Sequence, residues 1–374
     1  MLSRRTFVTA IGATAIAALA QAREADDARE LLRRRVEVER HAVGMAACVL
    51  TSSRTRFVES GFERLGDSRL VSADTVFEIG SVTKVFTALL LADMARRGEI
   101  AFDDPVARHL PNGFPLPVTD GRQITLADLA THTSGLPRFP TFAGAPFSPA
   151  WLDSMARFSV EDLKSWLAEF HLSRPAGSEW EYSNAGYALL GIALGHRGGQ
   201  PYEALLKSRI LAPLGLASTT FHPTATMGPR VADGHDRSLA KLPPLDLGIF
   251  TAAGALRSTT RDLARFAATI LSSTRASMAR DARMLLTVRR PAPLIGGAQA
   301  LGWEVLDAPG GTFVGKDGVT LGQTASMVFD PDRRVAIAVL CNTQADLTRS
   351  SPSGGGVGAA DIARHLLRPE LPLG

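Results

Sequence analysis

Strand-like runs gather at the two ends of this chain and nearly vanish between them, and that distribution limits the fold more than any single motif. Gly44–Thr51 and Phe57–Phe62 are short β-rich runs separated by the polar turn Ser52–Arg56, the outline of a hairpin. Strands return at Gly302–Leu306, Gly311–Lys316, Ala325–Phe329 and Arg334–Leu340, the last two joined by Asp330-Pro331-Asp332. From Asp103 to Ala300 helices take over. Thr125 with Asp128, Ser159 with Asp162 and Thr259 with Asp262 each have the spacing of a capping box. Strands at opposite chain ends bury their faces by pairing with one another. The expected fold is therefore α/β in the α+β sense: one antiparallel sheet built from both chain ends and flanked by helices, with a mostly helical subdomain inserted. Helices at about Glu30 to His41 and at Asp361–Leu367 would pack on that sheet. The sheet part is expected at about residues 30–76 and 300–374, and the helical part at about 77–299. Two long irregular stretches, Pro137–Pro149 and Phe221–Leu247, have the length of loops that lie over a cleft.

Residues 1–22 read as a leader and 23–374 as the folded domain. Ser3-Arg4-Arg5-Thr6-Phe7-Val8 has the pattern of a twin-arginine export signal, and an uncharged run from Val8 to Ala20 follows. That run is too short for a stable membrane span. The expected location is the periplasm or cell exterior. A net charge of +4, with no Lys/Arg block interleaved with aromatics, gives a nucleic-acid partner little support. The eight histidines form no metal-type cluster and the two cysteines no metal-type spacing, so neither metal nor cofactor is expected. Cys48 and Cys341 read as buried thiols, with a disulfide left open. The chain is expected to act as a monomer on a small-molecule substrate.

The centre of the functional reading is Phe77-Glu78-Ile79-Gly80-Ser81-Val82-Thr83-Lys84. It leads into apolar residues at Val85, Phe86, Leu89, Leu90 and Met94, the start of a buried helix. Ser81 and Lys84 are three apart, so their side chains share one face of the first turn. A serine hydroxyl becomes a good nucleophile when a neighbouring base takes its proton. Lysine serves as that base once burial or another cation lowers its pKa, whereas arginine does not deprotonate in a protein. Only five of the 41 basic residues are lysines, and two of them, Lys84 and Lys316, fall in the motifs that matter. The alternative reading of this turn is structural, with Ser81 an N-cap and Lys84 an exposed helix residue.

Two further motifs follow in order. Glu181-Tyr182-Ser183-Asn184 lies in a loop entering a helix, and Val314-Gly315-Lys316-Asp317-Gly318 lies on a late strand. With Ser81-Val82-Thr83-Lys84 they resemble the Ser-x-x-Lys, Tyr-x-Asn and Lys-Thr-Gly signature of the serine penicillin-recognising family. The likeness is greatest to class C β-lactamases and the related D-alanyl-D-alanine peptidases and esterases. Leu129–Arg138, Trp180–Gly191, Ile210–Leu216 and Ala253–Thr259 extend it over about residues 30 to 345.

The resemblance implies a β-lactamase/transpeptidase-like fold and an acyl-enzyme mechanism. Ser81 would be the nucleophile, and Lys84 and Tyr182 would share its proton, either being the primary base. Asn184 would donate to a substrate carbonyl, and Lys316 would face a substrate anion while holding the other two pKa values down. The backbone N–H groups of Ser81 and Val319 would bind the oxyanion. Phe86, Trp180 and Tyr187 are assigned to packing. His132 and Arg138 are placed on a loop lining the cleft.

Hydrolysis of β-lactam amides is the leading activity, with D-alanyl peptide cleavage or ester hydrolysis as alternatives. A penicillin-binding wall sensor that acylates without turnover is the alternative of another class. One departure stands out, because Asp317 occupies the position of a hydroxyl residue. Two like charges about 5 Å apart repel by roughly 3 kcal/mol at an effective dielectric near 20. Asp317 is therefore expected to disfavour carboxylate-bearing substrates unless it points away, pairs with an arginine or pairs with Lys316.

Overall fold

The computed structural model of the chain describes residues 27–272, 276–345 and 358–373. The expected leader at 1–22 and most of the glycine/serine stretch Ser350–Gly358 lie outside these. The described residues build one eight-stranded antiparallel sheet from β1 (Gly44–Leu50), β2 (Thr55–Gly61), β3 (Arg289–Ala292), β4 (Gly297–Ala300), β5 (Glu304–Ala308), β6 (Gly311–Val319), β7 (Thr324–Asp330) and β8 (Val335–Cys341). The spatial order is β2-β1-β8-β7-β6-β5-β4-β3. The two chain ends meet at the β1–β8 pair, where Met45 lies opposite Cys341 and Leu50 opposite Ala336.

Both faces of the sheet are covered, which explains why β1 is a continuous apolar run. Met45, Ala47 and Val49 join the core on the terminal-helix face with Leu32, Ile337, Ile362 and Leu367. Ala46, Cys48 and Leu50 join the larger core on the other face with Phe86, Leu89, Phe266 and Trp303. The first face carries α1 (residues 27–38) and the closing helix. Successive strand residues point to opposite faces, and this parity places Cys48 and Cys341 in different cores. Both are free thiols, so the disulfide left open by the sequence does not form.

The larger face carries α2 (Thr83–Arg96), α3 (Asn184–Arg197) and α4 (Thr260–Leu271); α5 (Ala359–Leu367) is the closing helix of the first face. Every residue of α2 from Thr83 to Met94 is buried, so this helix has no solvent face. Phe86 stacks on Phe266 of α4 at 4.4 Å between centroids, and Trp303 meets Phe329 edge-on at 5.0 Å. The capping boxes at Thr125/Asp128 and Ser159/Asp162 form in full. At α4 only half forms. Thr259 accepts from the Asp262 amide, while the Asp262 carboxylate turns to the Ser218 amide at 2.7 Å and the Thr219 hydroxyl at 3.0 Å.

Strands β3 and β4 lie in the stretch whose sequence reads as helical. Pro291 sits inside β3, Gly296 in the turn before β4 and Gly297 at its first position, residues that speak against strands. The sheet accepts Pro291 because β3 is its edge, where a missing N–H costs no ladder hydrogen bond. No helix among the described residues is long and apolar enough to cross a membrane.

Candidate active site

Two glycines bring the start of α2 against strand β6. Gly80 has φ +47°, and a Cβ there would lie 2.7 Å from the Val319 nitrogen. A Cβ on Gly318 would lie 1.9 Å from the Ile79 carbonyl oxygen. The two backbones therefore touch where any side chain would force them apart. Between them Gly80–Val82 forms a 3₁₀ turn that runs into α2, and Ser81 sits in its middle. Its hydroxyl caps no helix. It lies 3.2 Å from Lys84 Nζ and 2.6 Å from Tyr182 Oη.

Lys84 is wholly buried and all three of its ammonium donors are used. Besides Ser81 Oγ they reach Asn184 Oδ1 at 2.7 Å and the Ala253 carbonyl at 2.7 Å. The structural alternative for this turn, a capping serine and an exposed lysine, is not what forms. Burial lowers the Lys84 pKa most; Tyr182 raises it and Lys316 lowers it again, leaving it at about 8. Burial pushes the Tyr182 phenol up, but Lys84, Lys316 and Arg138 outweigh it and bring the phenol down to about 7. Near neutral pH the pair thus holds roughly one proton between them, within reach of Ser81. A neutral phenol donates to Ser81 Oγ, and a phenolate accepts from it.

The loop carrying Tyr182 is organised by His132, itself in a left-handed conformation at φ +58°. His132 O accepts from the Glu181 amide at 2.7 Å and His132 Nδ1 from the Ser183 amide at 3.0 Å. Its ring lies 4.3 Å from the Tyr182 ring. Burial, then Lys316, Lys84 and Arg138, hold the His132 pKa well below the ordinary histidine value. It is a neutral scaffold whose bare Nδ1 fixes the backbone before α3. Ser183 caps α3 by accepting from the Gly186 amide at 2.8 Å. Asn184 follows, its Oδ1 taken by Lys84 and its amide N–H₂ free to face the cleft it lines.

Lys316 is 2% exposed, with Nζ 4.8 Å from the Tyr182 ring centroid. Its partner is Glu304 Oε1 at 2.7 Å, a carboxylate the sequence reading passed over. The available signal was a glutamate inside the apolar run Gly302–Leu306. Burial works against the Lys316 charge, but Glu304 and then Tyr182 prevail and hold its pKa above the ordinary lysine value.

Val319 also lines the cleft. The Thr320 amide bonds Gln323 O at 2.9 Å, so in the alternating antiparallel ladder Val319 is the non-bonded member opposite Thr324. Its N–H therefore points off the β7 side, toward the Ser81 turn.

Asp317 does not join this group, which corrects the expectation of a charge clash with substrate. Adjacent strand residues face opposite ways, so with Lys316 inward Asp317 turns to the α5 face. Its carboxylate accepts from Ser326 Oγ at 2.7 Å and pairs with Arg364. Both side chains of that pair are nearly buried. Asp317→Thr is therefore expected to cost ~2–4 kcal/mol of stability. The ratio of kcat/KM on carboxylate-bearing and neutral substrates should stay within about twofold of wild type. Thermal melts and paired rate measurements check both parts.

The cleft in front of Ser81 measures about 590 Å³. The two irregular stretches contribute Phe139 and Phe147, and Leu245 and Leu247, to its walls, and Trp151 joins them from the helix Pro149–Arg157. A hollow of about 630 Å³ behind α3, lined by Gly191, Gly195 and Tyr202, contains none of these chemical groups. Among the described residues no three His, Cys, Asp or Glu side chains come together as a metal site would require.

A half-buried serine beside a buried lysine at a helix start, a tyrosine loop and a lysine strand converging in one cleft define an active-site-serine hydrolase architecture. A family model described as beta-lactamase matches residues 16–351, and the chain belongs to the beta-lactamase family of serine hydrolases. It is 34% identical over 183 residues to the D-alanyl-D-alanine-carboxypeptidase/endopeptidase AmpH of Escherichia coli K12. That match covers 49% of this chain and 46% of the relative, so the chain spans less than half of that relative's length in the match. It is 32% identical over 190 residues to the esterase EstB of Burkholderia gladioli, covering 49% of this chain and 48% of that protein. A solved beta-lactamase/D-alanine carboxypeptidase of Yersinia pestis superposes with a TM-score of 0.77 at 26% identity, covering 94% of this chain and 99% of that one.

Proposed function

We propose that the protein is an exported hydrolase that opens β-lactam amides through an acyl-enzyme on Ser81. The observation that carries this is the placement of Ser81 Oγ within 2.6 Å of Tyr182 Oη and 3.2 Å of Lys84 Nζ. Both of those groups titrate near neutral pH. Ser81 Oγ attacks the carbonyl carbon as its proton passes to the Tyr182–Lys84 pair. The Ser81 and Val319 N–H groups receive the developing oxyanion. When the C–N bond breaks, the same pair returns the proton to the departing nitrogen. Water then attacks the acyl carbon and gives a proton to the pair, which passes it to Ser81 Oγ as the acyl C–O bond breaks. Asn184 N–H₂ orients the acyl side chain, and Lys316 keeps the field positive.

The turn of Asp317 away from the cleft removes the reason for placing neutral esters ahead of β-lactams. The names of the relatives keep D-alanyl peptides and esters as the competing substrates. Side-by-side kcat/KM on nitrocefin, a D-alanyl-D-alanine peptide and a p-nitrophenyl ester tests the assignment. Nitrocefin turned over more than tenfold less efficiently than either competitor would overturn it. A stoichiometric nitrocefin burst with no steady state would mark a sensor instead.

The proton-sharing pair sets the pH dependence. The active form has lost its proton, and the Tyr182 pKa is depressed to about 7. Activity is therefore full above that value and lost as pH falls through it. Removing a cation destabilises the phenolate, so Lys316→Met should move the acidic limb of kcat/KM to higher pH. Glu304→Gln leaves Lys316 uncompensated and should move it to lower pH, each by about half a unit or more. A limb that moves the same way in both variants would show that Lys316 does not act on Tyr182 through its charge.

Export is proposed to follow the twin-arginine route on the strength of Arg4-Arg5 before the uncharged run. Arg4→Lys with Arg5→Lys should leave the protein in the cytoplasm. Cell fractionation with undiminished periplasmic activity would refute it.

A further inference from the structure

One buried carboxylate close to Ser81 in the chain takes no part in the proton transfers. Glu78 lies three residues before Ser81 on the short strand Phe77–Glu78, directly opposite Arg257 of the strand Arg257–Ser258. It is 7% exposed. Cross-strand partners share a face, and Arg257 Nη2 donates to Glu78 Oε1 at 3.1 Å. Gln323 Oε1 accepts from the Glu78 amide at 2.9 Å and fixes the backbone at the same residue. A buried ion pair adds little net stability, because desolvation offsets most of its attraction. What Glu78 holds besides Arg257 gives it a use.

The same Glu78 oxygen accepts from the Leu245 amide at 3.3 Å. Leu245 and Leu247 line the cleft in front of Ser81. Earlier in its course the irregular stretch is secured by backbone bonds, from Ala232 N to Val76 O at 3.0 Å and from His235 N to Gly322 O at 3.1 Å. At the wall that support ends. Pro243 and Pro244 have no N–H to give. Among the described residues the amides of Leu245, Asp246 and Leu247 donate to no backbone carbonyl. Arg257 also grips the start of the stretch, its Nη1 donating to Phe221 O at 2.8 Å. A binding loop takes its position from the rigid scaffold it is fastened to. Here the fastening runs through one carboxylate to the strand that leads into Ser81.

We propose that Glu78 is a positioning residue that sets the distance between Ser81 and the Leu245–Leu247 wall, and with it the fit of extended apolar acyl groups. The inference rests on the hydrolase reading given above. Asn184, which orients the acyl side chain in that reading, lines the same cleft as both leucines, so the wall meets the acyl part of the substrate. Glu78 does not line the cleft, and its effect passes through the Leu245 amide. A long apolar acyl chain reaches the wall and gains from its being held. A short acyl group does not reach it and is indifferent. The favoured substrates are then those whose acyl group is apolar and several carbons long.

Two double variants separate the bond to Leu245 from the ion pair. Glu78→Leu/Arg257→Met removes both, whereas Glu78→Gln/Arg257→Met removes the ion pair and keeps an acceptor for the Leu245 amide. Neither leaves an unpaired buried charge. The readout is the ratio of kcat/KM for 4-nitrophenyl hexanoate to that for 4-nitrophenyl acetate, two esters with the same leaving group. It should fall about tenfold in Glu78→Leu/Arg257→Met, through a raised hexanoate KM with kcat held, and stay within about twofold of wild type in Glu78→Gln/Arg257→Met. Equal falls in the two variants would assign the effect to the ion pair and overturn the proposal. A ratio unchanged in both would overturn it as well. If the leucine variant does not fold, Leu245→leucic acid deletes only the Leu245 N–H and keeps every side chain. The ratio should fall there too, and an unchanged ratio refutes the proposal.

Calorimetric titration of the two esters into Ser81→Ala, with and without each pair of substitutions, reads the preference without turnover. A hexanoate preference lost together with the Leu245 acceptor supports the Glu78 assignment even if wild type hydrolyses neither ester. That absence of hydrolysis would count against the hydrolase reading alone. A preference equal in all three backgrounds would refute the Glu78 assignment.

Discussion

Ser81→Ala is expected to lower turnover of every substrate by roughly 10⁴-fold or more and to abolish covalent labelling by fluorescent penicillin. The fold should be unchanged. Ser81 sits in the middle of the Gly80–Val82 turn, and its hydroxyl holds no helix end, so its removal leaves no backbone group without a partner. What is lost is the oxygen on which Tyr182 Oη and Lys84 Nζ converge. The melting temperature should therefore shift by an amount corresponding to less than ~1 kcal/mol. Labelling that persists in the alanine variant would remove Ser81 from the chemistry. An unfolded variant would show that the turn is structural instead. Mass spectrometry of the labelled protein, read beside a thermal melt, separates these outcomes.

The Ser81–Lys84 relation was legible because helical geometry converts a spacing of three into a shared face. Tyr182 and Lys316 were legible only through a resemblance, since nothing local in the chain ties either of them to Ser81. The sheet's two-ended origin followed from apolar runs such as Gly44–Leu50. Strands β3 and β4 did not, because Pro291 is a residue that an edge tolerates and a central strand does not, and Gly297 opens β4 directly after a turn. Asp317 and Glu304 show the other limit. Both orientations depend on the parity and register of β6. Asp317 lies one residue from Lys316 and so on the opposite face. Gly315 lies opposite Glu304, so the 2.7 Å bond from Glu304 to Lys316 runs to the neighbour of its register partner, a contact that strand alternation does not foretell. Parity was available from the strand pattern, but it became decisive only once Lys316 was known to point inward. Register was not available, because the loop between β5 and β6 does not by itself determine which residues face one another.

The electrostatics explain why so many charges tolerate burial in one place. Lys84 and Lys316 are both buried, and Glu304 offsets one of the two charges. The remaining positive field falls on Tyr182 and lowers its pKa against the pull of burial. Neutral His132 fits the same scheme. A protonated imidazole beside two ammonium groups would be unfavourable, and the Ser183 amide needs an acceptor at Nδ1.

Lys84→Arg is expected to be nearly as damaging as loss of the proposed nucleophile Ser81, reducing acylation by ~10³-fold or more, although the formal charge is retained. Lys84 is set at about 8 by burial, with Tyr182 and Lys316 acting in opposite directions, so part of the population is neutral amine at neutral pH. Arginine has no such state. Its guanidinium also does not reproduce three donors converging from one nitrogen onto Ser81 Oγ, Asn184 Oδ1 and the Ala253 carbonyl. The side chain occupies a site with no exposed surface, so the larger planar group must displace α3 or the 251–254 turn, at a cost of ~1–3 kcal/mol. Rate and stability report different things here. A folded arginine variant with a small thermal shift and a large acylation defect would identify proton acceptance as the Lys84 function. A variant retaining most of its labelling rate would make Lys84 an electrostatic partner, with Tyr182 the sole base. Tyr182→Phe in each background then decides between them. If the two residues share one proton, the double variant should be little worse than the slower single one, because removing either member disables the pair.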